Sequence, residues 1–100
     1  MKQFSEIINE AKKAYADMTE GEKESHVMKL ADRAYGQQYR KVLKKHGKEL
    51  ADSANYGRGV GGDHDHTSIS TKVYHSAGND YLTTHVDHHS GHISHEWGPD

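Results

Sequence analysis

Three residues that alternate along one stretch, His85, Asp87 and His89, have the types and spacing that bear most directly on chemistry. On an extended strand, side chains two residues apart project the same way at about 7 Å, which is how a strand offers several ligands to one ion. His92 follows across a short turn, so His85, Asp87, His89 and His92 form the candidate metal site. Zinc is the ion this donor set favours, ahead of nickel or iron. Nothing else in the chain requires a cofactor. The chain has no cysteine, which excludes disulfides, thiolate zinc sites and cysteine nucleophiles. The competing expectation is that these are half-exposed strand histidines bonded to neighbouring carboxylates and hydroxyls. A second chemistry sets His85 and His92 as general acid and base beside Lys72 as a phosphate clamp, the parts of a small hydrolase or nuclease.

To hold those residues in line, the segment must be a sheet. Ile69, Thr71, Val73 and His75 alternate with polar residues, and Leu82, Thr84, Val86 and His88 do so again. Gly78-Asn79 reads as a two-residue hairpin turn, pairing His75 with Leu82 and Val73 with Thr84. A second turn at Ser90-Gly91 pairs His88 with Ile93. Both turns give one inner face of Ile69, Val73, Leu82, Val86, Ile93 and Trp97, because a slip of one residue would send half of that set to water. His75, His88 and His95 fall on the inner face near its edges, as satisfied core or rim histidines. The outer face carries Lys72, Tyr74, Tyr81 and Glu96, which with Arg40 and Lys44 make the candidate binding surface.

The first half is helical. Phe4, Ile7, Ile8, Ala11, Ala14, Tyr15 and Met18 recur at three-four spacing and predict one amphipathic helix. Thr19 and Glu22 have the spacing of a capping box, which predicts a second helix beginning there. Its apolar stripe runs from Val27 to Leu43 past Gly36 and ends at Lys44-Lys45-His46-Gly47, with cations at the negative dipole end and glycine beyond. Residues 48–52 add a short helical turn. Residues 53–66 are glycine-rich and predict a mobile loop, without the Lys-Ser/Thr of a phosphate-binding loop. The fold class is therefore α+β: two N-terminal amphipathic helices packed on a C-terminal three-stranded antiparallel β-meander. Residues 1–100 form a single small domain, with 1–50 helical, 53–66 the loop and 67–98 the histidine-rich meander.

Charge narrows the partners. The formal net charge is −2, which by itself points neither to nucleic acid nor to its mimicry. Basic residues gather at Arg40, Lys41, Lys44, Lys45 and Lys48, but a solvated helix end explains them and the sheet half is acidic, so nucleic acid is disfavoured. The polar, helix-like start is not a secretory signal, and no apolar run is long enough to span a bilayer, which places the chain in the cytoplasm without a membrane partner. The expected function is a small non-enzymatic binding or inhibitory protein acting through a protein-protein surface. An accessory protein of a phage or mobile element that blocks a host or defence enzyme fits that description, and homo-oligomerisation is compatible with it.

Overall fold

The computed structural model describes residues 14–99. Thr19 caps a long helix, α1 (Glu20–His46): its hydroxyl accepts from Glu22 N at 3.2 Å while the Glu22 carboxylate accepts from Thr19 N at 2.9 Å. Gly36 is carried without a break, and Gly47, at φ 94°, ends the helix in a backbone region that side-chain-bearing residues rarely adopt. A short α2 (Lys48–Ser53) follows. Four strands complete the chain: β1 (Asn55–Gly62), β2 (His66–His75), β3 (Gly78–Asp87) and β4 (Ile93–Pro99), in one antiparallel sheet of order β1-β2-β3-β4.

Most of the predicted first helix lies outside the described residues. Its last part differs from expectation, since Ala14 is extended and residues Tyr15–Asp17 form a 3-10 turn. The larger difference is β1, which occupies the segment expected to be a loop. A ladder is made by backbone groups, so glycine weakens a strand without preventing one when a partner is at hand. Two of these glycines are needed where they stand. Gly57, at φ 67°, lies against the Tyr35 ring, and Gly62, at φ 146°, has no room for a Cβ beside the His66 carbonyl.

Registers differ from the expected ones by an even number of residues. His75 pairs with Gly78 and Val73 with Asp80, so the first turn is Ser76-Ala77 rather than Gly78-Asn79; its positive φ falls on Gly78 alone. Val86 pairs with Ile93 and Leu82 with Trp97, leaving a loop of residues 88–92 in place of the two-residue turn at Ser90-Gly91. An even shift keeps every side chain on its expected face. Ile69, Val73, Leu82 and Val86 are accordingly buried under α1, with Ile93 and Trp97 packed against them.

The core has two apolar clusters. Leu30, Ala34, Ile69 and Val86 form one; Val42, Ala51, Val73 and Leu82 form the other. Between them Gln38, fully buried, donates to Ile69 O at 3.2 Å and to Thr84 Oγ1 at 2.8 Å, and accepts from Thr71 Oγ1 at 2.8 Å. Thr71 in turn accepts from Gly57 N, and Thr84 donates to His95 Nδ1, whose Nε2 donates to Gln37. Every polar group of the layer thus has a partner, as buried polar groups require.

Candidate functional site: the outer sheet face and the histidine-lined cleft

Because α1 and α2 cover only the inner face, the outer face of the sheet is uncovered by any described element. Lys72 and Tyr81 are cross-strand partners, and Tyr74 is two residues along from Lys72. The Lys72 ammonium sits 5.2 Å from the Tyr74 ring centre and 5.4 Å from that of Tyr81, a cation held between two aromatic faces. Tyr74 is 50% exposed. Tyr81 faces Gly98 on β4, which adds no side chain over it, and Glu96 stands beside Thr83 two pairs further on. Arg40 and Lys44 do not join this group. They lie on the side of α1 turned away from Gln38 and Val42, and so are separated from Tyr74 by the sheet.

The four expected metal ligands are dispersed. His85 Nδ1 lies 3.0 Å from Ser68 Oγ on β2. Asp87 is a turn former: Oδ1 accepts from His89 N at 2.9 Å and lies 3.5 Å from Ser90 N, and these contacts shape the loop that displaced the two-residue turn. The His89 N–H, first among these, holds the Asp87 carboxyl below the usual carboxylate range despite partial desolvation. His89 turns instead to Asp65 Oδ1 at 2.7 Å. His92 is exposed in the loop. Among the described residues no group of three or more histidine, aspartate or glutamate side chains could hold a metal ion. The acid-base set is likewise apart. Lys72 pairs with Tyr81 and Ser68 with His85, a separation along the sheet of about 13 Å.

Three turns distant in sequence form a site that residue spacing did not reveal. Tyr15 donates its hydroxyl to His64 O at 2.8 Å and packs its ring on His26, His88 and His89, with centroids 5.6, 5.4 and 5.0 Å away. His88 is 3% exposed. Its Nδ1 donates to His64 O at 2.9 Å, its Nε2 lies 2.6 Å from Thr67 Oγ1, and its carbonyl accepts from His26 Nε2 at 2.8 Å. These bonds tie the start of α1 to the β1–β2 and β3–β4 turns and border an open cleft of about 660 Å³. Lys23, Glu24, Val27 and Met28 line its helical side and Asp63, His64 and Asp65 the opposite one. Asp63 is held below the usual range chiefly by the N–H of Asp65, then of His66. Of the histidines at the cleft, His88 is spent on a carbonyl and His89 on a carboxylate, His26 beside them bonds the His88 carbonyl, and His64 contributes its own carbonyl to Tyr15 and His88. The residues themselves are conspicuous in the sequence, but only their long-range pairing identifies the site.

At the other end, Asp80 Oδ2 is bonded by His46 Nε2 at 3.0 Å and lies 3.4 Å from the Lys45 ammonium, while the buried His75 Nε2 stands 3.5 Å from Oδ1 without hydrogen-bond geometry. Burial alone would push the Asp80 carboxyl up; the nearness of His75, then of Lys45, outweighs it and holds the carboxyl below its ordinary value. Lys45 also lies 4.2 Å over Trp97, and Lys48 bonds Asp52 at 2.6 Å, so part of the basic helix end is internally neutralised. No helix among the described residues is long and apolar enough to cross a membrane. Comparison of the chain with protein-family models, curated proteins and solved structures finds no match.

Proposed function

We propose that this protein is a small cytoplasmic binding protein of the inhibitory kind, engaging a protein partner through the outer face of its sheet. The observation that carries the reading is the Tyr74–Lys72–Tyr81 group on that uncovered face. Tyrosine is the residue type most useful at an interface, because it buries a large rigid area at little cost in side-chain entropy while its hydroxyl stays wet. Holding the lysine between the rings fixes all three side chains before a partner arrives. Ser70 and Thr83 stand beside the group, and Ser68 and Ser94 lie further along the same face, hydroxyls that suit the polar rim of such an interface. A surface of this form acts by occlusion, covering a partner's working site, which is the role expected of a phage or mobile-element accessory protein that blocks a host or defence enzyme.

The test is affinity capture from a cytosolic extract of the source cell, followed by a titration with each captured protein. Y74A/Y81A is expected to weaken the specific partner by about 30-fold or more, the scale of a lost hot spot. R40E/K44E, on the far side of the molecule, is expected to leave affinity within about threefold, as distant charges do. Equal affinities of the wild type and Y74A/Y81A for every captured protein would overturn the assignment of this face.

A further inference from the structure

Among the described residues no strand pairs with the outer edge of β1, whose guards are a register irregularity between Asn55 and Gly59 and the charge of Arg58. Asp63 N donates to His66 O. By the alternation of an antiparallel ladder, the N–H and C=O groups of Gly62 and Val60 therefore point away from β2, up to the irregularity that breaks the register between Asn55 and Gly59. No described strand meets them, because β1 ends the sheet. Residues 58–62 contain neither proline nor lysine, the usual guards of an edge, and three of them are glycines that leave the backbone accessible. Val60 is the cross-strand partner of buried Ile69 and so lies on the helix-covered face, yet it is 61% exposed. Met28, also 61% exposed, stands two turns before Tyr35 on the same side of α1, and Tyr35 is the residue that abuts Gly57 of β1.

We propose that two copies of this chain associate through β1, pairing antiparallel about a two-fold axis at Val60. In that register Val60 opposes its own counterpart and exchanges both N–H···O bonds with it, and Arg58, at the edge of the irregular part of β1, stands across from Gly62. The side chains agree with this placement. The two valines meet on the apolar face, where each continues the row begun by Ile69, and Arg58 lies over a glycine that leaves it room. Charge agrees as well. Each strand has its cation, Arg58, towards one end and Asp63 just beyond the other, with Glu24 lining the same cleft as Asp63. Antiparallel pairing sets the basic end of each copy against the acidic end of its partner. The result is one continuous sheet with both long helices on the same face and both outer faces still open. So short a pairing buries less than the ~1,200–2,000 Å² of a standard interface, so the association is reversible and rises with concentration.

The absence of cysteine makes the test direct. V60C puts a single thiol at the axis, where opposed Cα atoms lie about 5.5 Å apart, inside the ~4.4–6.8 Å that a disulfide spans. Mild oxidation of the full chain is expected to give a covalent dimer. G61C, whose Cβ meets nothing within 4 Å and which opposes Gly59 of the partner, is expected to crosslink about tenfold more slowly. R58E, which sets like charges together at both ends, is expected to remain monomeric at concentrations where the wild type's sedimenting mass increases, with circular dichroism confirming that it folds. A wild-type chain that sediments as a monomer throughout, or equal crosslinking of V60C and G61C, would overturn the proposal and leave the edge to a strand of a different protein.

Discussion

Replacing Gln38 by methionine removes hydrogen bonds from the centre of the core while almost preserving shape. Gln38 is fully buried and makes bonds to Ile69 O, Thr84 Oγ1 and Thr71 Oγ1, all within 3.2 Å. Methionine fills the same space, so little cavity cost enters. What is lost is the bonding, and what is stranded is the Thr71 hydroxyl proton, whereas Ile69 O keeps Thr84 N across the β2–β3 ladder and Thr84 Oγ1 keeps His95. At about 1 kcal/mol net for each bond, with a larger cost where a buried group is left bare, Gln38→Met should destabilise by about 2–4 kcal/mol. For a domain of this size that is a fall in Tm of about 10–25 °C. Urea unfolding followed by the fluorescence of Trp97, the only tryptophan, measures the change, provided the slope with denaturant stays that of the wild type. Adding Thr71→Val should restore part of the loss, because removing both partners of a buried bond costs less than removing one. A loss below about 0.5 kcal/mol at an unchanged slope would refute the reasoning, since it would mean that desolvating the network costs as much as its bonds return.

Burial first, and then Lys41, hold His95 below the usual imidazole range, so it folds neutral; its stabilising contribution is present above the ordinary histidine value near 6.5 and is lost as pH falls from there towards the lowered one. Melting curves between pH 7.5 and 5 should therefore fall less steeply for His95→Gln than for the wild type, and parallel slopes would count against the neutral, Thr84-bonded ring. Asp80→Asn should remove stability that the wild type has above the ordinary aspartate range and loses in acid, so the two melting temperatures should converge towards pH 3. Gly62→Ala should cost about 2 kcal/mol or more by urea unfolding, because its φ and the His66 carbonyl both reject a Cβ. Trp97→Ala should cost about 3 kcal/mol, measured by calorimetry because the fluorophore is gone.

The sequence was informative wherever a side-chain pattern decides the outcome. Thr19 and Glu22 mark a helix start because their own atoms do the capping, Gly47 marks the end because its φ excludes most other residues, and the faces of β2 to β4 follow from apolar alternation. It was silent where the backbone decides. Strand β1 is held by main-chain pairing to β2, and its glycines serve the close approaches at Tyr35 and His66, neither of which leaves a local signal. Asp87 and His89 have partners other than a shared ion for a related reason. Two-residue spacing is shared by ligands on a strand and by a carboxylate that bonds the N–H two residues ahead, and the Ser90-Gly91 that follows favours the second. The Tyr15 cluster needs residues 49 positions apart to meet, which no spacing along the chain discloses.

The polar layer at Gln38 divides the molecule's internal cooperativity. An apolar core in one piece tends to open as one unit, but here two separate clusters lie on either side of Gln38, their helical members Leu30 and Val42 about 18 Å apart along α1, joined by that helix and the sheet. Fluctuations that loosen the Leu30–Val86 end, with its cleft and its turns, need not loosen the Val42–Leu82 end. Amide exchange should accordingly show two protection classes meeting near Gln38, with the cleft end opening at lower free energy. The chain is then a pair of coupled folding units on a shared rod, and a partner or a second copy that clamps one end would be felt at the other only through that rod.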